Sequence, residues 1–203
     1  MTTTGLRTAT APTWDGLCAL MRDDLAVRPD DPFALDVLVV PSVGHRRFVS
    51  HALAETLGGV CAGIDFPTFS GLRHLVETSM GLAGPDPDPW NPDLLVAAVM
   101  ATLEATWDEP WAAPLRAYVE GYGPRPGRRA ELAVRVAQLF ARYARRCSGL
   151  LLAWDEGDDR DALGAPLAAE AAWQPQVWRA LVGALSPVEH PARRHRRVVA
   201  ALR

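Results

Sequence analysis

A chain of 203 residues with 49% hydrophobic and 22% charged residues has a globular composition, long enough for one domain or two small ones with a real core. All 21 basic residues are arginine and the formal net charge is −3, which excludes a protein that binds nucleic acid with its whole surface; any phosphate contact must be local. The missing lysine fits the bias of a GC-rich genome, since the chain is rich in Ala, Gly and Pro, and it also removes the side chain that P-loop nucleotide hydrolysis needs.

The chain opens with MTTTGLRTATAPTW, which lacks a basic region followed by an apolar one, and no run approaches the roughly 18 apolar residues of a membrane span. A soluble, unexported protein is expected. Leu6–Thr10 is a candidate short strand, and Trp14–Val27 carries Trp14, Leu17, Cys18, Met21 and Leu25 at helical spacing. After the turn Pro29-Asp30-Asp31-Pro32, DVLVVPS (36–42) is a continuous apolar run of the kind that forms a buried parallel strand. Arg46–Leu57 is predicted helical, VCAGIDF (60–66) a second strand, and Ser70–Leu82 a second crossover helix. This order predicts an α/β unit with a partial parallel sheet that needs strands the segment does not supply.

GPDPDPWNPD (84–93) is the best boundary, and the chain beyond it reads as helix: 92–105, 109–121, 127–146 and 174–185. EGDDRDALGAP (156–166) is an acidic loop, expected to be solvated. Cys18, Cys61 and Cys147 are odd in number and widely spaced, so neither a disulfide framework nor a zinc site is indicated, and a reducing cytoplasm fits.

The strand-loop-helix VLVVPSVGHRRFVSHAL occupies the place of a P-loop, yet only Gly44 of the G-x-x-x-x-G-K-[ST] pattern survives, followed by His45, Arg46 and Arg47. Such a loop either offers amides and Arg47 to a nucleic-acid phosphate or is an ordinary βα turn. LLLAWDEGDD (150–159) mimics a Walker B strand; without a partner P-loop it reads instead as a helix end with its acidic loop. In 127–146, Leu132, Val136, Leu139, Phe140 and Tyr143 form an apolar stripe, while Arg128, Arg129, Arg135, Arg142, Arg145 and Arg146 lie on or near the other faces. Six arginines around a Phe/Tyr pair suit a grip on single-stranded DNA, or a solvated or partner-docked basic face. RRHRR (193–197) reads as a solvated helical face, and the tryptophans of the helical part, Trp90, Trp107, Trp111, Trp154, Trp173 and Trp178, as core and interface anchors. The histidines show no H-E-x-x-H spacing, and no G-x-S-x-G elbow is present.

DPF (31–33), VLVVPSVGHRRFVSHAL (37–53), GVCAGIDFP (59–67), DPWNPDLL (88–95), WDEPW (107–111), GRRAELAVRVAQLFARYARRCSGLLLAW (127–154) and AWQPQVWRALV (172–182) together resemble the start of the RecC family, the γ subunit of exodeoxyribonuclease V (RecBCD). The likeness leans toward actinobacterial members. It implies a degenerate superfamily 1 helicase-like (P-loop-type) α/β subdomain without a working P-loop over 1–85, then a mostly helical subdomain over 86–203.

The resemblance further implies a chain that contacts DNA and holds RecB-like and RecD-like partners without a catalytic centre or cofactor of its own, ATP and Mg²⁺ being bound only by those partners. In this family the subunit splits the duplex and scans the 3′ strand for a Chi-type signal. Carried over by position, the DNA-contacting residues are Pro41, Val43, Arg47, Thr68, His74, Gln138, Leu139 and Ala141, with Cys147 just beyond; the arginine-rich helix adds Arg142, Arg145 and Arg146. Enterobacterial members are more polar or acidic in the loop and helix and carry arginine at the position of Cys147, so the same Chi sequence is not implied. Family members are several times longer, so the chain is expected to be a fragment, a truncated reading frame or one piece of a split subunit. A truncated interaction module without a DNA role is the alternative reading.

Overall fold

A computed structural model describes residues 8–27, 31, 33–121, 123 and 126–202. The chain is mostly helical with a small two-stranded parallel sheet, and it divides into two units, Met1–Val76 and Glu77–Arg203, ahead of the Pro/Asp-rich stretch 84–93.

In the first unit, α1 (Trp14–Leu25) starts where the Thr13 hydroxyl accepts from the Gly16 N–H (3.2 Å), with Asp15 in the first turn and Arg22 in the last, as the helix dipole favours. Strand β1 (Asp36–Val37) pairs with β2 (Ile64–Asp65), Asp36 against Ile64 and Val37 against Asp65, and a bridge joins Val40 to Thr68. The amides of Asp36, Leu38 and Val40 donate to the carbonyls of Gly63, Asp65 and Pro67, each at 2.9 Å, the evenly spaced ladder of a parallel pair.

The strands are shorter than the runs 36–42 and 60–66, and Thr8–Thr10 form no strand; Leu6 and Arg7 lie outside the described residues. Nor is the apolar run buried on both faces. Val40 points into a core with Val49, Leu53 and Phe66, whereas Leu35, Val37 (50% exposed) and Val39 face outward. Alternation along a strand explains this: one face of the ribbon is covered by α1 and α2 (Val43–Thr56), the other is bare. Helix α2 begins at Val43 because Ser42 caps it, three residues ahead of the start expected at Arg46, and α3 (Phe69–Ser79) follows the second strand.

In the second unit, α4 (Pro92–Ala105) has the Asn91 side chain as N-cap and proline in its first turn, and it buries Leu95, Val99, Thr102 and Leu103 against α6 (Arg128–Arg146). The stretch expected as one helix over 109–121 is a 3₁₀ turn, Pro110–Ala112, followed by α5 (Ala113–Glu120); Pro110 and Pro114 each suit a helix start and break a continuous one. Non-helical Cys147 separates α6 from α7 (Ser148–Asp155). Helices α8 (Trp173–Ala184) and α9 (Pro191–Ala201) complete the unit.

Its core is aromatic. Trp178 lies 5.3 Å from Trp90 and 5.3 Å from Phe140, and each buried indole N–H finds an acceptor: Trp90 the Val188 carbonyl, Trp154 the Arg160 carbonyl, Trp178 the Asp155 carboxylate. Among the described residues no helix is long and apolar enough to cross a membrane, and no group of three His, Cys, Asp or Glu residues stands together as metal ligands.

Candidate nucleic-acid interface

The loop residues of interest sit at the carboxyl ends of the two parallel strands, the position where open α/β sheets commonly receive ligands. Only Pro41 and Ser42 separate Val40 from the first residue of α2, so the link is a capped βα turn, with no loop long enough to wrap a triphosphate. The Ser42 hydroxyl accepts from the His45 N–H (3.4 Å) and lies 2.9 Å from His45 Nδ1. Donating its own proton to Nδ1 would satisfy both contacts and leave Nε2 as the outward N–H. Residues 41–48 are all exposed, Val43 and Arg47 among them, one turn apart on the same face of α2.

Thr68 is half-buried beside Val40, and its hydroxyl accepts from the Gly71 N–H at the start of α3. His74 is exposed on α3. The fold therefore gathers Val43, Arg47 and Thr68 at one edge of the first unit, with His74 farther along α3.

The second group lies on α6 in the other unit. Gln138, Arg142 and Arg145 stand at i, i+4 and i+7, hence on one face, and are exposed, as is Arg146; Leu139 is half-buried, and Ala141 is buried. The apolar stripe differs from the expected one. Small residues Ala133, Ala137 and Ala141 join Leu132, Val136 and Phe140 in the buried face, because α4 approaches closely, and Leu139 is displaced toward the rim.

The six arginines divide into two groups. Arg128 donates to the Tyr118 and Val119 carbonyls at the end of α5, Arg129 lies 4.4 Å over the Trp107 ring, and Arg135 pairs with Glu131 at 2.6 Å. These three stabilise their own unit. Arg142, Arg145 and Arg146 form no ion pair among the described residues. The expected Phe/Tyr stacking pair is not available for DNA: Phe140 is buried, and Tyr143 donates to Gln174 Oε1 (2.9 Å) while meeting Trp154 edge-on. Burial raises the Tyr143 phenol above its usual pKa, Arg142 opposing the rise. Cys147 is half-buried between α6 and α7.

Two charged segments are mostly exposed, as expected of solvated faces, with Arg194 as the buried exception, yet both carry specific partners. In 193–197, Arg193 pairs with Asp155 and Arg197 with Glu189 (each 3.0 Å), Arg196 with Glu156 (3.7 Å), and Arg194, 6% exposed, with Asp88. In the acidic loop, Asp159 receives a bidentate bond from Arg179, and Asp161 accepts from the Leu163 and Ala165 amides. The long-range pairs, Arg193–Asp155, Arg194–Asp88 and Arg179–Asp159, are invisible to local sequence. Asp155, the Walker B mimic, is a buried acceptor for Trp178, His190 and Arg193.

Sequence reasoning missed an open groove of about 490 Å³ lined by Trp14, Ser42, Gly44, His45 and Phe48. Its one sequence signal is an aromatic residue, Phe48, directly after the basic run His45-Arg46-Arg47.

The model of the RecC N-terminal domain matches residues 6–203. The chain is 38% identical over 203 aligned positions to the RecBCD enzyme subunit RecC of Mycobacterium tuberculosis, covering 93% of this chain and 17% of that protein. It is 38% identical over 173 positions to the RecC subunit of Mycolicibacterium smegmatis, with 82% and 14% covered. The RecC subunit of Haemophilus influenzae is 23% identical over 169 positions, with 76% and 15% covered. The chain thus spans about a sixth of the length of these relatives.

Proposed function

Because the chain belongs to the RecC family, through its amino-terminal domain and with an actinobacterial character, we propose that it is a non-catalytic, DNA-contacting and scaffolding segment of a RecBCD-type helicase-nuclease, an exodeoxyribonuclease V, in double-strand break repair and recombination. The observation that carries the DNA part is the division of the α6 arginines. Three have partners within their own unit, and Arg142, Arg145 and Arg146 are exposed without a counter-ion among the described residues. Unneutralised guanidinium groups on one helix face are what a phosphate backbone needs, and they make contact local on a chain of net charge −3.

Val43, Arg47, Thr68 and His74 are a second contact group, and Gln138 and Leu139 flank the arginines. The first unit is read as a degenerate superfamily 1 helicase-like subdomain: its βα turn keeps the P-loop's place without its length or lysine. ATP and Mg²⁺ are accordingly assigned to RecB-like and RecD-like partners, and the complex to the cytoplasm. The outward row Leu35, Val37 and Val39 supports the scaffolding part, since an apolar sheet face calls for cover.

Co-purification of the chain with RecB-like and RecD-like partners, together with single-stranded DNA binding by fluorescence anisotropy, tests the proposal. Partner capture and salt-sensitive DNA binding are expected. Loss of both overturns it, and ATP hydrolysis by the pure chain overturns the assignment of nucleotide chemistry to the partners.

A further inference from the structure

We propose that Trp14 and Phe48 form a stacking platform for one base of single-stranded DNA, with His45 beside it and the first turn of α2 receiving the adjoining phosphate. The proposal rests on the DNA-contacting reading above and adds to it residues outside the two groups already described.

The platform follows from the packing of α1 on α2. Trp14 opens the first helix and Phe48 lies one turn and a half into the second, and their ring centroids come within 4.9 Å at an interplanar angle of 44°. A pair that served only to join the helices would be closed over. Instead Phe48 is 55% exposed, and the two rings line an open groove of about 490 Å³ with Ser42, Gly44 and His45, a size within the usual range of small-ligand sites.

The charge carried beside the groove selects the occupant. The first turn of α2 contains His45 and Arg46 and no acidic residue, Arg47 follows directly, and neither arginine has an ion pair among the described residues. Cations at the positive end of a helix raise its energy, and a bound anion reverses that penalty. Gly44 points the same way. A Cβ there would meet only Ser42 Oγ at 3.6 Å, an ordinary contact, so packing does not require glycine; its absence of a side chain leaves the first-turn backbone open to the groove. An aromatic floor that meets the start of α2, with Arg46 and Arg47 carried nearby on the same helix outside the groove's lining, fits a base with its phosphate. Stacking accepts any base, so the platform grips the strand without reading its sequence.

The test measures binding of a fluorescein-labelled oligo-dT to the full chain by anisotropy across a salt series. Phe48→Ala should weaken binding about tenfold or more with an unchanged salt slope, because stacking releases no counter-ions, and Phe48→Tyr should restore it. Oligonucleotides carrying 5-iododeoxyuridine should photo-crosslink the unmutated chain at Trp14 or Phe48, a result independent of how the variants fold. Wild-type affinity for Phe48→Ala, or crosslinks confined to other residues, overturns the platform and leaves the DNA reading standing. Failure of the unmutated chain to bind the oligonucleotide overturns both.

Discussion

Asp155 Oδ2 and His190 Nε2 stand 2.7 Å apart, with only 4% and 1% of their side chains reaching solvent. The same carboxylate accepts from Trp178 Nε1 (2.8 Å) and Arg193 Nε (3.0 Å), so one acid at the end of α7 ties down α8, the residue before α9, and α9 itself. Asp155→Ala leaves a buried indole N–H and a buried imidazole unpaired together. The expected cost is about 3–5 kcal/mol, read from urea unfolding with an unchanged slope. A loss below about 1 kcal/mol would show that the carboxylate is not a hub.

Burial lowers the pKa of His190 below its ordinary value, with Asp155 and Glu189 opposing the shift and Arg193 reinforcing it. Nδ1 is buried without a partner, so a neutral ring with its proton on Nε2 satisfies Asp155 and strands no N–H, whereas protonation would strand one. The unfolded chain therefore takes up the proton first as pH falls. The contribution of this group to stability is full above the unfolded pKa, about 6.5, and is lost as pH drops below it. Denaturant midpoints between about pH 7.5 and pH 5.5 should fall for the unmutated chain and fall less for His190→Gln. Equal slopes for the two proteins would remove His190 as the cause.

Gly84 supports the Arg194 guanidinium. A Cβ at Gly84 would collide with Nη1 and lie 2.7 Å from Cζ of the buried Arg194 side chain, which pairs with Asp88. Gly84→Ala must displace that guanidinium, for an expected cost of about 1–3 kcal/mol. An alanine variant as stable as the parent in urea would show that Arg194 relocates freely.

The two classes of α6 arginine should separate experimentally. Replacing Arg142, Arg145 and Arg146 together by alanine should reduce the slope of log K against log salt for single-stranded DNA by about 2, at roughly 0.7 per phosphate contact, with little change in stability. Arg128→Ala should instead lower the unfolding midpoint, because it frees the carbonyls at the end of α5. An unchanged salt slope in the triple variant would exclude that face from the DNA path.

Helices were legible wherever an apolar stripe met a recognisable cap: Asn91-Pro92 before α4, Gly127 before α6 and Thr13 before α1 all stand in the sequence. The strands were overestimated because a continuous apolar run signals burial on two faces, and here only one face is covered. At the candidate interface, sequence located the arginines but could not sort them. Whether an arginine is free depends on partners such as Trp107 over Arg129, 22 positions away. The reach is longer elsewhere: Arg194 finds Asp88 across 106 positions and His190 finds Asp155 across 35. The groove was hidden for the same reason, since Trp14 and Phe48 are brought together only by the packing of two helices.

The outward row Leu35, Val37 and Val39 has a colloidal consequence. Sheet edges and faces are usually guarded by lysine, and this chain has none; the row carries no charge of its own. Two copies meeting along it would gain burial without repelling one another, so the handling of the chain in solution should depend on concentration more steeply than its net charge suggests. Val37→Arg, placed on the outward face away from Val40 and Leu53, should relieve that stickiness in light scattering while leaving the unfolding midpoint where it was.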